Sequence, residues 1–192
     1  GSSVFRGCTG LKDIQLSSSI KALPERAFMG WTNLESLLLP DGLKDIGREA
    51  FQDCSSLISL SIPEGVESIG YQAFQECKSL KSINIPAKVD TIQACLFRNC
   101  PALAEIAIPA GVTTIMESAF EGCRLLQTLQ IPKTVNKICD NAFGGCDELT
   151  SVTFESESLV LQGAFKDCLK LVTVDWGEGS IKLETGVFEN CV

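Results

Sequence analysis

The chain has 192 residues, of which 45% are hydrophobic, and it contains no histidine. Its formal net charge of −8 disfavours nucleic acid and anionic membrane surfaces as partners, because both require a basic surface to bind. No apolar run approaches the roughly 18 residues that span a bilayer, so we expect no direct insertion into a membrane.

Phenylalanine recurs with a period of 23 residues from Phe5 onwards, with a single step of 22 before Phe165. Cysteine follows three residues later, except in the second repeat, where Trp31 takes its place. A fixed period of this size is typical of a solenoid, in which similar coils stack on one another. We therefore predict a single solenoid of about eight coils over residues 1–192. Neither end shows a polar cap, so we expect a fragment of a longer protein.

The coil from 77 to 100 illustrates the predicted elements in chain order. Residues 82–85 alternate polar and apolar side chains, which is typical of a half-buried strand, and Pro86 ends it. Val89 and Ile92 mark a second short extended segment. The repeated Ala-Phe-x-x-Cys-x-x-Leu segment spaces its apolar residues by three and four, which predicts short helical turns. The coils should therefore carry a parallel strand array on one face and helical turns on the other.

The repeated pattern is L-x-x-I-x-I-P-x-x-V-x-x-I-G-x-x-A-F-x-x-C, and residues 57–77 match it at almost every position. It closely resembles the BspA-type leucine-rich repeat, and the resemblance covers the whole chain. The resemblance implies an α/β solenoid of the leucine-rich-repeat type. It also implies a surface protein of bacteria or protists, engaged in adhesion and placed at the cell surface or secreted. The family has no fixed catalytic or ligand residues to transfer.

The phenylalanine and cysteine phases of the central coils are predicted to form a structural ladder in the core. Its members are Phe51, Cys54, Phe74, Cys77, Phe97, Cys100, Phe120, Cys123, Phe143 and Cys146. We interpret these cysteines as buried thiols that act as small hydrophobic residues. Disulfides are disfavoured because the helical sides of solenoids splay apart, beyond the roughly 7 Å that a bridge can span. Cys95 and Cys139 lie outside the ladder, and they are either half-buried and inert or reactive.

The sequence predicts no catalytic, cofactor or metal site. Zinc sites use close pairs such as C-x-x-C, often with histidine, and the chain has neither. The absence of histidine also removes the Ser-His and Cys-His nucleophile pairs. The sequence lacks the G-x-x-x-x-G-K-[ST] loop that would indicate a nucleotide site. We therefore expect a protein that is not an enzyme.

The outward strand positions form polar columns that offer an extended face to a partner protein. From these columns we select Gln15, Asn84, Gln130 and Asp175 as candidate partner-binding residues. The alternative is that such columns are only favourable cross-strand neighbours on a hydrated sheet.

A second group of candidates lies in the second coil, at Met29, Trp31 and Leu38. Trp31 is too large for the niche of a cysteine, so it either belongs to an exposed apolar contact patch or adapts the coil to an atypical neighbour.

The last two coils depart from the pattern, since Phe154 and Trp176 stand where Ile precedes Pro elsewhere. One residue is also missing between Leu161 and Phe165. These changes predict a bulge or an altered curvature.

From these observations and the resemblance, we predict a non-enzymatic recognition or adhesion module that binds a partner protein through one long face. The alternative is a structural scaffold subunit of a larger intracellular assembly.

Overall fold

The computed structural model describes residues 14–191, whose buried apolar side chains form one continuous core. The sequence positions Phe5 and Cys8 lie outside this range. The strands are β1 Ala22–Leu23, β2 Asp45–Ile46, β3 Ser59–Leu60, β4 Ser68–Ile69, β5 Ser82–Ile83, β6 Thr91–Ile92, β7 Thr114–Ile115, β8 Thr128–Ile131, β9 Lys137–Ile138, β10 Ser151–Phe154, β11 Ser158–Leu161, β12 Thr173–Asp175 and β13 Ser180–Leu183. All their pairings are parallel, which confirms the predicted solenoid.

The strands form two series, because each coil contains two extended segments. The first series comes from the alternating segment before the proline and consists of β3 paired with β5, and of β8, β10 and β12. We call the outward side of this series the first strand face. The second series comes from the Val-x-x-Ile segment and consists of β1, β2 and β4, and of β6, β7, β9, β11 and β13. Both predicted extended segments are therefore present.

The Phe-x-x-Cys segment differs from its prediction, since no helix occurs within residues 14–191. Residues two before and two after each phenylalanine have positive φ angles, as at Glu49 (54°) and Asp53 (60°) around Phe51. The N–H groups of these three residues donate to carbonyl oxygens of the next coil at 2.8–2.9 Å. A residue in the left-handed region every four residues breaks the right-handed course of an α-helix. The expectation of helical turns is therefore wrong.

The phenylalanine column holds this side of the solenoid together. From Phe28 to Phe188, rings of consecutive coils stack with centroids 5.1–5.7 Å apart. This spacing is close to the roughly 4.8 Å between strands of a sheet. The coils therefore do not splay apart on this side, and that part of the argument against disulfides is wrong.

The irregular C-terminal coils keep their register. Strand β10 pairs with β8 and with β12 without interruption, so the expected bulge is not found in these strands. Glu155, which replaces the usual proline, donates its N–H to Ile131 at 2.9 Å and thereby extends the ladder. The chain is one residue shorter between Leu161 and Phe165, yet Gly163 keeps a positive φ of +48°, as Asn141 does one coil earlier at 53°. A Cβ atom at Gly163 would collide with the carboxylate of Asp140.

Candidate functional site

The ladder cysteines hydrogen-bond to the main chain. From Cys54 to Cys191, each Sγ donates to the carbonyl oxygen of the phenylalanine one coil earlier, at 3.1–3.5 Å. All ten ladder residues named above are fully buried. Burial raises the pKa of Cys54, Cys100 and Cys168 to about 12. These thiols therefore stay protonated and serve structure rather than chemistry.

Disulfides are absent between the cysteines of residues 14–191. The ring stacking places neighbouring coils about 5 Å apart, which lies within the Cα–Cα range of a disulfide, so distance alone does not exclude a bridge. Each ladder thiol, however, points at a carbonyl oxygen instead of a second sulfur.

The two cysteines outside the ladder are partly or fully shielded from solvent. Cys95 is buried and Cys139 is half-buried. Burial is the largest cause that raises the pKa of both thiols above its ordinary value. Across the described residues, no cluster of three or more potential ligands could hold a metal ion.

Trp31 lies in the core and not on the surface. Its side chain is fully buried, and its ring meets Phe28 edge-on, with centroids 5.2 Å apart. Of the two alternatives left open for Trp31, its burial contradicts the exposed contact patch. Met29 is half-buried in the same turn, and Leu38 alone of the three is strongly exposed, at 86%.

A buried carboxylate joins the first coils. Glu49 is only 4% exposed and accepts hydrogen bonds from Nε of Arg26 and Nε of Arg48, at 2.5 and 2.6 Å. The bond from Arg26 is the largest cause that lowers the pKa of Glu49, against the opposing effect of burial. The Arg48 guanidinium also lies 5.3 Å from the ring centre of Tyr71. Arg26 also pairs with Glu25 at 3.4 Å, so two carboxylates balance the two guanidinium groups, and we assign the cluster a structural role.

A notch of about 340 Å³ lies on the turn side, where Gly122, Gly144 and Gly145 leave space. The charged residues around it are already partnered, for example Lys166 with Glu189 at 2.9 Å. Asp167 accepts a hydrogen bond from the neutral Asn190 amide at 2.7 Å, so the polar groups of the wall are occupied and we assign no ligand to the notch.

The main cavity is a groove of about 760 Å³ on the first strand face. Its lining residues are small or neutral with one exception, Glu105. They are Ser59, Leu60, Ser61, Ser82, Ile83, Asn84, Glu105, Ile106, Ala107, Ile108, Thr128 and Gln130. We call this cavity the groove.

The sheet beneath the groove is interrupted. Residues 104–108 have the same phase as β5 and β8 but belong to no strand, and their backbone makes no hydrogen bond to other described residues. Ile106 is half-exposed, whereas the equivalent Ile83 and Leu129 are 9% and 3% exposed. Residues 104–108 are therefore not joined to the neighbouring coils by backbone hydrogen bonds, although the Phe97 ring that precedes this stretch stacks on both neighbours, and their donors and acceptors remain unpaired. We call this segment the ladder gap.

Two of the predicted partner-binding residues line the groove in fixed orientations. The Asn84 carboxamide bonds to both the N–H and the carbonyl oxygen of Ile62, each at 2.7 Å. Gln130 donates through Nε2 to the carboxylate of Glu155 at 2.6 Å. Their side chains form preorganised walls on either side of Ala107.

The remaining candidates lie elsewhere. Gln15 and Asp175 are exposed towards the two ends of the first strand face, and Asp175 accepts a bond from the Gly177 N–H at 3.1 Å. Glu105 was missed as a candidate, although it is the one charged residue of its outward column within residues 14–191. The ladder gap has no local sequence signal.

A parallel solenoid of this repeat defines a leucine-rich repeat protein. The family model for the BspA type leucine rich repeat region matches residues 1–104 and 67–192, with six copies, and the chain belongs to this family. None of the curated proteins matches the chain. Residues 14–191 contain no helix that is long and apolar enough to cross a membrane.

The solved structures similar to this chain are bacterial leucine-rich repeat proteins. A Bacteroides ovatus protein is 28% identical with a TM-score of 0.80, over 96% of this chain and 57% of its own length. The T. pallidum leucine-rich repeat protein is 29% identical with a TM-score of 0.74, over 84% of this chain and 78% of its own. A leucine rich cell surface protein of Faecalibacterium prausnitzii shares the fold at 23% identity and a TM-score of 0.58. The match covers 95% of this chain and 65% of that protein. The chain thus spans just over half the length of the Bacteroides protein.

Proposed function

We propose that the chain is a non-enzymatic recognition module that binds a partner protein through the first strand face. The observation that carries this proposal is the groove over the ladder gap, where a cavity of about 760 Å³ meets backbone groups that the sheet leaves unpaired. Extended solenoid faces are suited to protein partners because they present a long row of side chains from successive coils. Membership of the leucine-rich repeat family supports a protein-interaction module.

The proposed contact residues follow the first strand face from one end to the other. Leu38 supplies an exposed apolar contact beside the groove, and Asn84 with Gln130 supplies polar contacts inside it. Gln15 and Asp175 extend the surface towards its two ends. Trp31 and Met29 are excluded from this surface, because one is buried and the other belongs to the turn side.

The groove is built for binding instead of catalysis. Its single ionisable side chain is Glu105, and the chain contains no histidine to act as a base near neutral pH. The solvent-accessible hydroxyl groups of its serines and threonines therefore lack an activating partner. We infer binding without turnover and without a cofactor.

We further propose that the protein acts at the cell surface or after secretion. One similar structure is described as a cell surface protein, which supports this location. The fold itself needs no disulfide, since the thiols of residues 14–191 are unpaired and mostly buried.

The test compares two matched variants on opposite parts of the solenoid. Ala107→Arg places a long cation in the groove, and Asn136→Arg places the same charge on the exposed start of the second strand series. The immobilised wild-type chain is used to capture proteins from separate extracellular and intracellular fractions, with both variants in parallel. We expect a partner from the extracellular fraction that Asn136→Arg retains and Ala107→Arg loses.

Equal retention by both variants would contradict recognition through the first strand face. A partner found exclusively in the intracellular fraction, bound in stable stoichiometric amounts, would instead favour a scaffold subunit. Circular dichroism of both variants serves as the control for folding.

A further inference from the structure

The groove also indicates the chemistry of its partner, an inference that rests on the proposed function. We propose that the groove binds an extended segment of the partner protein carrying a lysine or arginine, whose cation pairs with Glu105. Three features of the groove lead to this assignment: its charge, its shape and its open backbone.

The charge of the groove is uncompensated. Glu105 is exposed, and no cationic group of the described residues lies within 4 Å of its carboxylate. On the rim, the carboxylates of Glu64 and Glu155 contact Asn84 at 3.4 Å and Gln130 at 2.6 Å, and neither has a cationic partner.

Two lysines adjoin the groove strands in sequence. Lys81 directly precedes β5, and Lys133 follows Pro132 after β8. Neither lysine lines the groove or forms an ion pair with any of these three carboxylates, so Glu105 remains the one charged group of the lining. Because the floor of the groove is lined by small neutral side chains, a cation that enters the groove experiences its strongest electrostatic attraction at Glu105.

The shape of the groove fits the stem of a long cationic side chain. Ala107 lies between Asn84 and Gln130 in the outward column and leaves a pit between two braced amides. Glu105 stands two residues earlier on the same strand face, about 7 Å away along the chain. The methylene groups of lysine or arginine can pack over Ala107 while the charged end reaches Glu105.

The open backbone favours an extended segment over a helix. The N–H and C=O groups of residues 104–108 make no hydrogen bonds to described neighbours, so a ligand that supplies partners to them gains stability. An extended peptide carries unpaired main-chain donors and acceptors, as in strand addition to a sheet. A helix has already satisfied most of its own main chain.

The test uses three synthetic peptides of Gly and Ser that differ at one central residue: lysine, its neutral isostere norleucine, or glutamate. Each is titrated into the ¹⁵N-labelled chain while backbone amide shifts are followed. We expect the lysine peptide to shift the signals of the ladder gap and to bind about fivefold more tightly than the norleucine peptide, which corresponds to about 1 kcal/mol. The glutamate peptide should bind most weakly.

Two protein variants sharpen the result. Glu105→Gln should remove the lysine advantage, whereas Glu117→Gln, an exposed carboxylate outside the groove, should preserve it. Added salt should lower the affinity of the lysine peptide towards that of the norleucine peptide.

Equal binding of lysine and norleucine peptides, or shifts that map outside the groove at millimolar peptide, would overturn the inference. This failure is distinguishable from failure of the proposed function. Ala107→Arg could abolish partner capture while the lysine and norleucine peptides bind equally well. That result would support recognition through the first strand face and contradict the binding of a cationic segment.

Discussion

The thiol of Cys100 donates a hydrogen bond to the carbonyl oxygen of Phe74 in the preceding coil, with an Sγ–O distance of 3.1 Å. The same oxygen accepts the backbone N–H of Cys77 from its own coil. A carbonyl oxygen has two lone pairs, and here two cysteines of successive coils occupy them. Cysteine suits this position because it fills a small apolar niche and still supplies a donor.

Removal of one ladder thiol should destabilise the fold more than removal of a thiol outside the ladder. Cys100→Ala deletes a buried donor and leaves a small cavity, which should lower the free energy of unfolding by about 1–3 kcal/mol. Cys139→Ala removes the same atoms from a half-buried site and should have a smaller effect. Urea denaturation, monitored by circular dichroism, measures the free energy of unfolding of both variants. Equal destabilisation would refute the structural role of the Cys100 hydrogen bond.

Alkaline pH should destabilise the fold through the same thiols. The pKa of Cys54, Cys100 and Cys168 is about 12 in the folded chain, above the ordinary value of 9.0. The unfolded chain therefore loses protons first, so this contribution to stability is complete below pH 9.0 and falls as the pH rises towards 12. Each thiol contributes a slope of up to about 1.4 kcal/mol per pH unit.

The measurement is the urea midpoint as a function of pH, with Cys100→Ala as the matched control for the other titrating groups. Above pH 9, the stability of the variant should fall less steeply with pH than that of the wild type, and the difference should equal the contribution of one thiol. Ellman's reagent provides a second readout, with few reactive thiols in the native chain and all ten after denaturation without reductant. An unchanged slope in the variant would contradict the raised pKa of Cys100.

Neutralisation of Glu49 should weaken the first coils. Glu49→Gln removes the charge that Arg26 and Arg48 share but keeps the size of the side chain. Because both arginines are partly exposed and can turn to water, we expect a loss of about 1–2 kcal/mol and not the full cost of a buried ion pair. Glu67→Gln, in an exposed pair of salt bridges, is the control and should change little. If the two variants unfold at the same urea concentration, the Glu49 cluster is not stabilising.

The ladder gap should appear directly in hydrogen exchange of the unbound chain. The amide of Ile106 is unpaired, whereas Val152 has the same phase inside a strand with neighbours on both sides. We expect Ile106 to exchange faster than Val152 by on the order of a hundredfold, because local opening is not needed to expose it. Similar protection at both amides would show that the sheet is continuous.

The sequence period predicts the architecture well because the repeating residues are those that pack. It misassigns the Phe-x-x-Cys turns, since apolar spacings of three and four fit both a helical turn and an alternation of right-handed and left-handed residues. The distinguishing signal lies two residues after each phenylalanine, where Asp53, Asn99 and Gly122 are types that tolerate positive φ.

The groove is harder to predict than the coil. Residues 105–108 alternate in the same way as the paired strands, so nothing local marks them as a gap. The spacing between coils depends on contacts along the whole stack, as does the fit of Trp31 in the core. The repeat of a single coil therefore identifies the strand face but does not indicate which segments of it, such as 104–108, leave backbone groups unpaired.

Recognition through the first strand face is tested most directly by the hydrogen-exchange footprint of a partner obtained in the capture experiment. Binding should slow exchange at residues 104–108 and in the adjoining groove strands, and it should leave exchange in the Phe-x-x-Cys turns unchanged. Unaltered exchange at 104–108, with protection confined to the second strand series or the turns, would contradict recognition through this face.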